Sequence, residues 1–188
     1  MPITHTSRTG KTYYLHTGPK RGGGVQYFLS TKSSSPLADA LPEGFEIHES
    51  VNGQVCLRRT QPRLIRDEEA ALIERALEKP HGGNLYKLEA RGNTLTIFES
   101  QDNSSGLGDL LPKIRSQNMA ELQERLASYQ PVMRFILVDG EKRGFAPERY
   151  CFRGSVDDWI PIGPPEPIKE LAAKFLKHLG RDSFFELV

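Results

Sequence analysis

The chain has 188 residues, 37% hydrophobic and 26% charged, with 25 Lys and Arg against 24 Asp and Glu. That composition excludes a disordered segment, a collagen-like repeat, a disulfide scaffold and a membrane-spanning bundle. A chain of this length buries about 70% of its unfolded surface, enough for one core or two small ones without help from metal or cofactor.

Residues 12–17 and 25–30 are rich in aromatic and β-branched side chains and flank a Gly/Pro-rich turn, which predicts a first hairpin. A polar loop follows over 31–36. Residues 45–49 and 54–58 flank Asn52-Gly53, a pair suited to positive φ at both central turn positions, and predict a second hairpin. From Asp67 the period changes. Asp67, Glu68 and Glu69 favour a helix N-terminus, Ala70, Ile73, Ala76 and Leu77 form one stripe, and Pro80 marks the end. A third hairpin is expected over 85–90 and 94–99 around Gly92-Asn93, followed by a mobile loop over 101–109.

Met119, Leu122 and Leu126 predict a second helix that starts near Ser116 or Asn118 and is closed by Pro131. Residues 132–138 read as a buried strand that turns at Asp139-Gly140 towards a shorter strand around 149–152. The stretch 154–166 reads as irregular and proline-rich. Ile168, Leu171, Ala172, Phe175, Leu176 and Leu179 then recur at helical spacing between Pro167 and Gly180, and predict the last helix. The expected fold is α+β, with antiparallel β-hairpins packed against three α-helices. The Pro and Gly cluster at 79–84 suggests an N-terminal double-hairpin-plus-helix lobe over 1–80 and a C-terminal hairpin-and-helix lobe over 81–188; a single domain over 1–188 accommodates the same pattern.

Cys56 and Cys151 are far apart in the sequence and form no C-x-x-C pair, so two buried thiols are expected. The longest apolar run, Phe135-Ile136-Leu137-Val138, is too short for a bilayer. With no signal-like apolar stretch near Met1, the expectation is a soluble, cytoplasmic protein. The formal net charge is +1, yet no Asp or Glu precedes Asp39, while Arg8, Lys11, Lys20, Arg21 and Lys32 do. That asymmetry points to an anionic partner, nucleic acid foremost. The plainer alternative is a solvated basic hairpin neutralised by acids elsewhere on the folded surface.

No catalytic or cofactor motif is diagnostic here. Gly18-Pro19-Lys20-Arg21-Gly22-Gly23-Gly24 combines amides free of side chains with two cations, as a phosphate-cradling loop does; a flexible hairpin tip has the same composition. Gly10-Lys11-Thr12 fails as a P-loop because His5 stands where the first glycine belongs and a strand follows. Tyr13 and Tyr27 could stack on bases while Lys11, Lys20, Arg21 and Lys32 meet phosphates; packing of the same tyrosines on a core is the competing reading. Asp157 and Asp158, beside the only tryptophan, Trp159, could hold a divalent cation in a hydrolase or nuclease. A structural loop anchored by Trp159 explains them as well. No histidine spacing fits zinc.

Residues 10–16, 42–47, 52–59 and 154–159 resemble segments of uncharacterised bacterial cytoplasmic proteins. The resemblance spans roughly the first third of the chain and one later loop. It implies a bacterial cytoplasmic source and no activity, so no residue role is transferred from it. The expected function is a non-enzymatic binding module with a basic N-terminal hairpin for an anionic partner. The alternatives are a metal-dependent hydrolase or nuclease using Asp157 and Asp158, and a protein-interaction or regulatory subunit that binds through an exposed sheet edge.

Overall fold

The computed structural model describes residues 1–34, 36–81, 85–101, 127–153 and 156–187. These divide into two compact units, Met1–Thr60 with Ala127, and residues 61–101 with 128–187.

The first unit is built from two small antiparallel sheets. One has the order β1 (Thr4–Thr6), β2 (Thr12–Pro19), β3 (Val25–Ser30), and the other pairs β4 (Phe45–Glu49) with β5 (Val55–Arg59). Both predicted hairpins are present, but the second turns differently. Among the described non-glycine residues only Arg143 has positive φ, so Asn52 does not adopt the conformation expected of it; Gly53 alone of the pair does, at +73°. Hydrogen bonds from Gly53 N–H to the Ser50 carbonyl and from Ser50 N–H to the Gln54 carbonyl close a longer loop of the kind built on a type I turn. A Cβ at Gly53 would lie 3.1 Å from Arg8 Nε, so close packing also requires glycine there. Among its described residues the buried apolar side chains are Leu15 and Ala38. Polar contacts also join its segments: Glu49 accepts from Arg8 N–H at 2.7 Å and from His5 Nε2 at 2.8 Å. Desolvation raises the Glu49 carboxyl, but those two bonds outweigh it and hold the carboxyl below its ordinary value.

The second unit contains the main core. Strands β6 (Tyr86–Arg91), β7 (Thr94–Ser100), β8 (Tyr129–Asp139), β9 (Gly144–Arg153) and β10 (Val156–Pro161) form an antiparallel sheet in chain order, and β11 (Glu166–Pro167) pairs with β9. Cross-strand register puts Leu95 opposite Phe135 and Phe135 opposite Pro147, and all three are fully buried on one face. Helix α1 (Asp67–His81) packs against β6, and α2 (Ile168–Phe175) against β9 and α1. Ile73, Leu171 and Phe175, at helical spacing, fill the space over that face.

These elements overturn the expected fold class. Strands dominate the described residues, arranged as several antiparallel sheets, and only two α-helices occur among them. The physical reason is that backbone pairing recruits segments with weak strand propensity. Residues 156–161, read as part of an irregular stretch because of their aspartates and proline, become β10 by pairing residue for residue with β9. The final helix is also shorter than its apolar stripe, because the chain tightens into a 3-10 turn at Leu176–His178. The helix expected around Met119, Leu122 and Leu126, and all but Gln101 of the loop expected over 101–109, lie outside the described residues. Cys56 is exposed and Cys151 buried, both as free thiols, which corrects the expectation of two buried ones.

One ion pair fastens α1 to the sheet unit. Glu69, three residues inside α1, accepts the N–H of Arg66 at 2.8 Å, as the acidic member of a capping box does. It also accepts Nε of Arg143 at 2.8 Å and its Nη2 at 2.5 Å. Arg143, in the β8–β9 turn, has φ +54°, a left-handed conformation that costs about 1 kcal/mol or more in a non-glycine residue. Its guanidinium also donates to the Leu64 carbonyl at 3.1 Å, so the side chain ties three segments together. Desolvation raises the Glu69 carboxyl, but the bonds from Arg143 and Arg66 prevail and lower it. A carboxylate depressed in the folded state contributes stability above its ordinary range, and loses it as pH falls through the folded value. Glu69→Ala is therefore expected to destabilise the protein by about 2 kcal/mol at neutral pH, since it removes the charged partner of a partly buried Arg143. Glu69→Gln is expected to flatten the decline in stability between about pH 6 and about pH 3. Phe135→Ala should cost about 3–5 kcal/mol at either pH, a packing effect that charge does not alter. Denaturant titrations across that pH range check all three.

Candidate functional site

The β2–β3 pair forms a ribbon whose register runs from Tyr14 opposite Ser30 to Pro19 opposite Val25. Successive strand residues face opposite ways, so Tyr13, Leu15, Tyr27 and Leu29 share one face and Tyr14, His16 and Phe28 the other. Burial does not follow those faces. Leu15 and His16 are adjacent and both buried, whereas every residue from Val25 to Phe28 is exposed. At its base the ribbon is flanked by β1 and by the 36–38 segment, which bonds to β2 through the Leu15 carbonyl and the Thr17 N–H. His16 stacks on Phe28 at 5.2 Å and donates from Nε2 to the Lys32 carbonyl at 2.9 Å. In the distal part every residue from Pro19 to Phe28 is exposed.

The tip is closed by hydrogen bonds from Lys20 N–H to the Gly24 carbonyl and from Gly23 N–H to the Lys20 carbonyl. Gly22, Gly23 and Gly24 have φ values of +95°, +94° and +91°, which an L side chain rarely adopts. Three consecutive glycines therefore make the turn, with the Gly23 amide engaged inside it, beside the exposed Lys20 and Arg21.

The sequence-derived residues do not gather at one point. Lys20 and Arg21 occupy the tip, while Lys11 and Lys32 are exposed at the base, with β2's eight residues between them. At about 3.3 Å per residue the two pairs of cations lie roughly 25 Å apart. Tyr27 is 37% exposed and Tyr13 is half-buried on the same face. Among the described residues, none of Lys11, Lys20, Arg21 and Lys32 forms an ion pair. By contrast, Arg58 of the same unit pairs with Glu46 at 2.8 Å.

Asp157 and Asp158 stand at adjacent positions of β10, opposite Phe152 and Cys151. Their side chains consequently leave the strand in opposite directions. Asp158 Oδ1 accepts the N–H of Trp159 at 2.7 Å, and the Asp157 carbonyl accepts the hydroxyl of Tyr150 at 3.3 Å. Among the described residues no group of three His, Cys, Asp or Glu side chains could hold a metal ion. No helix is long and apolar enough to cross a membrane.

No protein-family model, curated protein or solved structure matches this chain. Its function is therefore argued from geometry.

Sequence reasoning treated Tyr150, Phe152 and Trp159 as strand and loop anchors, whereas they form one aromatic group on the sheet. Tyr150 lies 4.6 Å from Phe152 and 5.0 Å, edge-on, from Trp159, and the Arg134 guanidinium sits 4.3 Å above the Trp159 ring. The available signal was the alternation Tyr150-Cys151-Phe152, which puts two aromatics on the face opposite a buried cysteine.

Because Lys20 and Arg21 are exposed and unpaired among the described residues, replacing both with Ala should change stability by no more than about 0.5 kcal/mol. Thermal melts of the double variant check this, and superimposable curves are expected.

Proposed function

We propose that this protein is a non-enzymatic, cytoplasmic binding module whose β2–β3 ribbon engages an anionic polymer, with nucleic acid the first candidate. The observation that carries the reading is that Lys11, Lys20, Arg21 and Lys32 are exposed and make no ion pair among the described residues. Cations neutralised by neighbouring carboxylates would have little field to offer a ligand; these retain theirs. Their spread along the ribbon suits a chain of phosphates better than a single small anion. Tyr27, exposed and on the same face as half-buried Tyr13, lies between the two charged ends and offers a ring on which an unpaired base can stack, at about 1–3 kcal/mol per base. The two free thiols are compatible with the reducing cytoplasm.

The reading requires a specific salt dependence. Four phosphate contacts to a single strand give a slope of about −3 in log affinity against log salt, a loss of roughly fifty-fold between about 50 and about 200 mM. Fluorescence anisotropy with labelled single-stranded RNA and DNA is expected to show that decline. Lys20→Ala with Arg21→Ala should weaken low-salt binding and reduce the slope by about half. Absence of binding at low salt, or a double variant with unchanged affinity and slope, rejects the ribbon as the contact surface.

A further inference from the structure

A second set of side chains, in the other unit, has no part in the ribbon. Phe152 and Phe185, at 57% and 59% exposure, are the two most exposed aromatic side chains among the described residues. Both line the same cleft, of about 200 Å³, at the ends of β7, β8 and β9 beside the C-terminal segment. Isolated apolar residues on a surface need no explanation, but two exposed phenylalanines that line one concavity mark a contact site.

The polar lining narrows what can enter. Glu99 accepts the Tyr86 hydroxyl at 2.6 Å through Oε1, and its second oxygen has no hydrogen-bond partner among the described residues. Gln130 brings an amide that both donates and accepts. Arg181 lines the cleft too, and forms no ion pair among the described residues. An organic cation would be repelled by Arg181 and a compact anion by Glu99. A purely hydrocarbon ring would leave Glu99 and Gln130 desolvated without partners. A planar ring with N–H donors on its edge and a negative charge outside the cleft satisfies all of them. The volume is below the roughly 300–1,000 Å³ usual for drug-sized ligands, so one ring system fits and the rest of the ligand stays outside.

We propose that this cleft binds the base of a nucleotide, with the ring against Phe152 and Phe185, its donor edge on Glu99 and Gln130, and its phosphate on Arg181. A carboxylate accepting from exocyclic and ring N–H groups is a recurrent mode of base readout, and aromatic side chains stack on bases of any identity. The inference does not depend on the ribbon, since Lys11, Lys20, Arg21 and Lys32 do not line the cleft. Free nucleotides and the unpaired bases of a strand share this chemistry.

Trp159, the only tryptophan, touches the Tyr150 ring that lines the cleft and provides the readout. The full-length protein is titrated with the four ribonucleoside 5′-monophosphates, with ribose 5-phosphate and with a pentanucleotide, following Trp159 emission and heat of binding. At least one monophosphate is expected to bind saturably and ribose 5-phosphate is not. Phe152→Ala, at an exposed position, should weaken binding about tenfold. Glu99→Gln, which keeps an acceptor for Tyr86, should change the ranking among the bases, and Lys20→Ala with Arg21→Ala should leave mononucleotide binding intact. A pentanucleotide that binds more tightly than the monomer and is weakened by Phe152→Ala assigns the cleft to strands; equal affinities assign it to free nucleotides. Absence of any emission change or heat up to millimolar monophosphate overturns the proposal. So does binding indifferent to both Phe152→Ala and Glu99→Gln, and binding lost only in the ribbon variant returns the contact to the ribbon.

Discussion

Burial of one face of the β6–β10 sheet is the constraint on which the second unit depends. Phe135 lies on the central strand of that sheet, between fully buried Leu95 and Pro147, and α1 and α2 close over it with Ile73, Leu171 and Phe175. Because interiors are packed at crystal-like density, these positions admit little change in volume. The Glu69–Arg143 pair adds a directional restraint to this non-directional one. It satisfies the start of α1 and holds a turn residue in a backbone conformation it would otherwise avoid. Arg149 does the same for the C-terminal segment, donating from within the core face to the carbonyls of Leu187 and Phe185. The cleft lined by Phe152 and Phe185 depends on that segment being held there.

The first unit is organised on a different balance. Among its described residues Leu15 and Ala38 are the buried apolar side chains, and strand pairing and polar contacts such as those of Glu49 join its segments. Part of its first hairpin is exposed, and this is the part that carries Lys20, Arg21 and the residues from Val25 to Phe28. The exposed tip residues carry none of those contacts, so variants there can be read without the confusion of unfolding.

The two proposed contacts rest on different physics. Along the ribbon, long-range and salt-sensitive attraction acts on a row of phosphates with no need for close fit. In the cleft, short-range stacking and hydrogen bonding act on one ring and depend on its edge. Only the first was suggested by charge asymmetry in the chain, because an acid-free stretch is visible in one dimension. The second requires Glu99, Gln130, Phe152 and Phe185, from β7, β8, β9 and the C-terminal segment, to converge.

Local chemistry alone determined the hairpins over 12–30, 45–59 and 85–100, the beginnings of α1 and α2, and the exposed, glycine-rich character of the tip. Each follows from propensity, side-chain period or turn residues within a few positions of one another. Three things were decided only by tertiary structure. Residues 156–161 became a strand because β9 offered a free edge, despite two aspartates. Asp157 and Asp158 were thereby sent to opposite faces, since a strand separates neighbours that a loop could have brought together. And burial along β2 and β3 came to depend on which neighbouring segments reach the ribbon, because alternation tells which residues share a face but not whether anything lies against it.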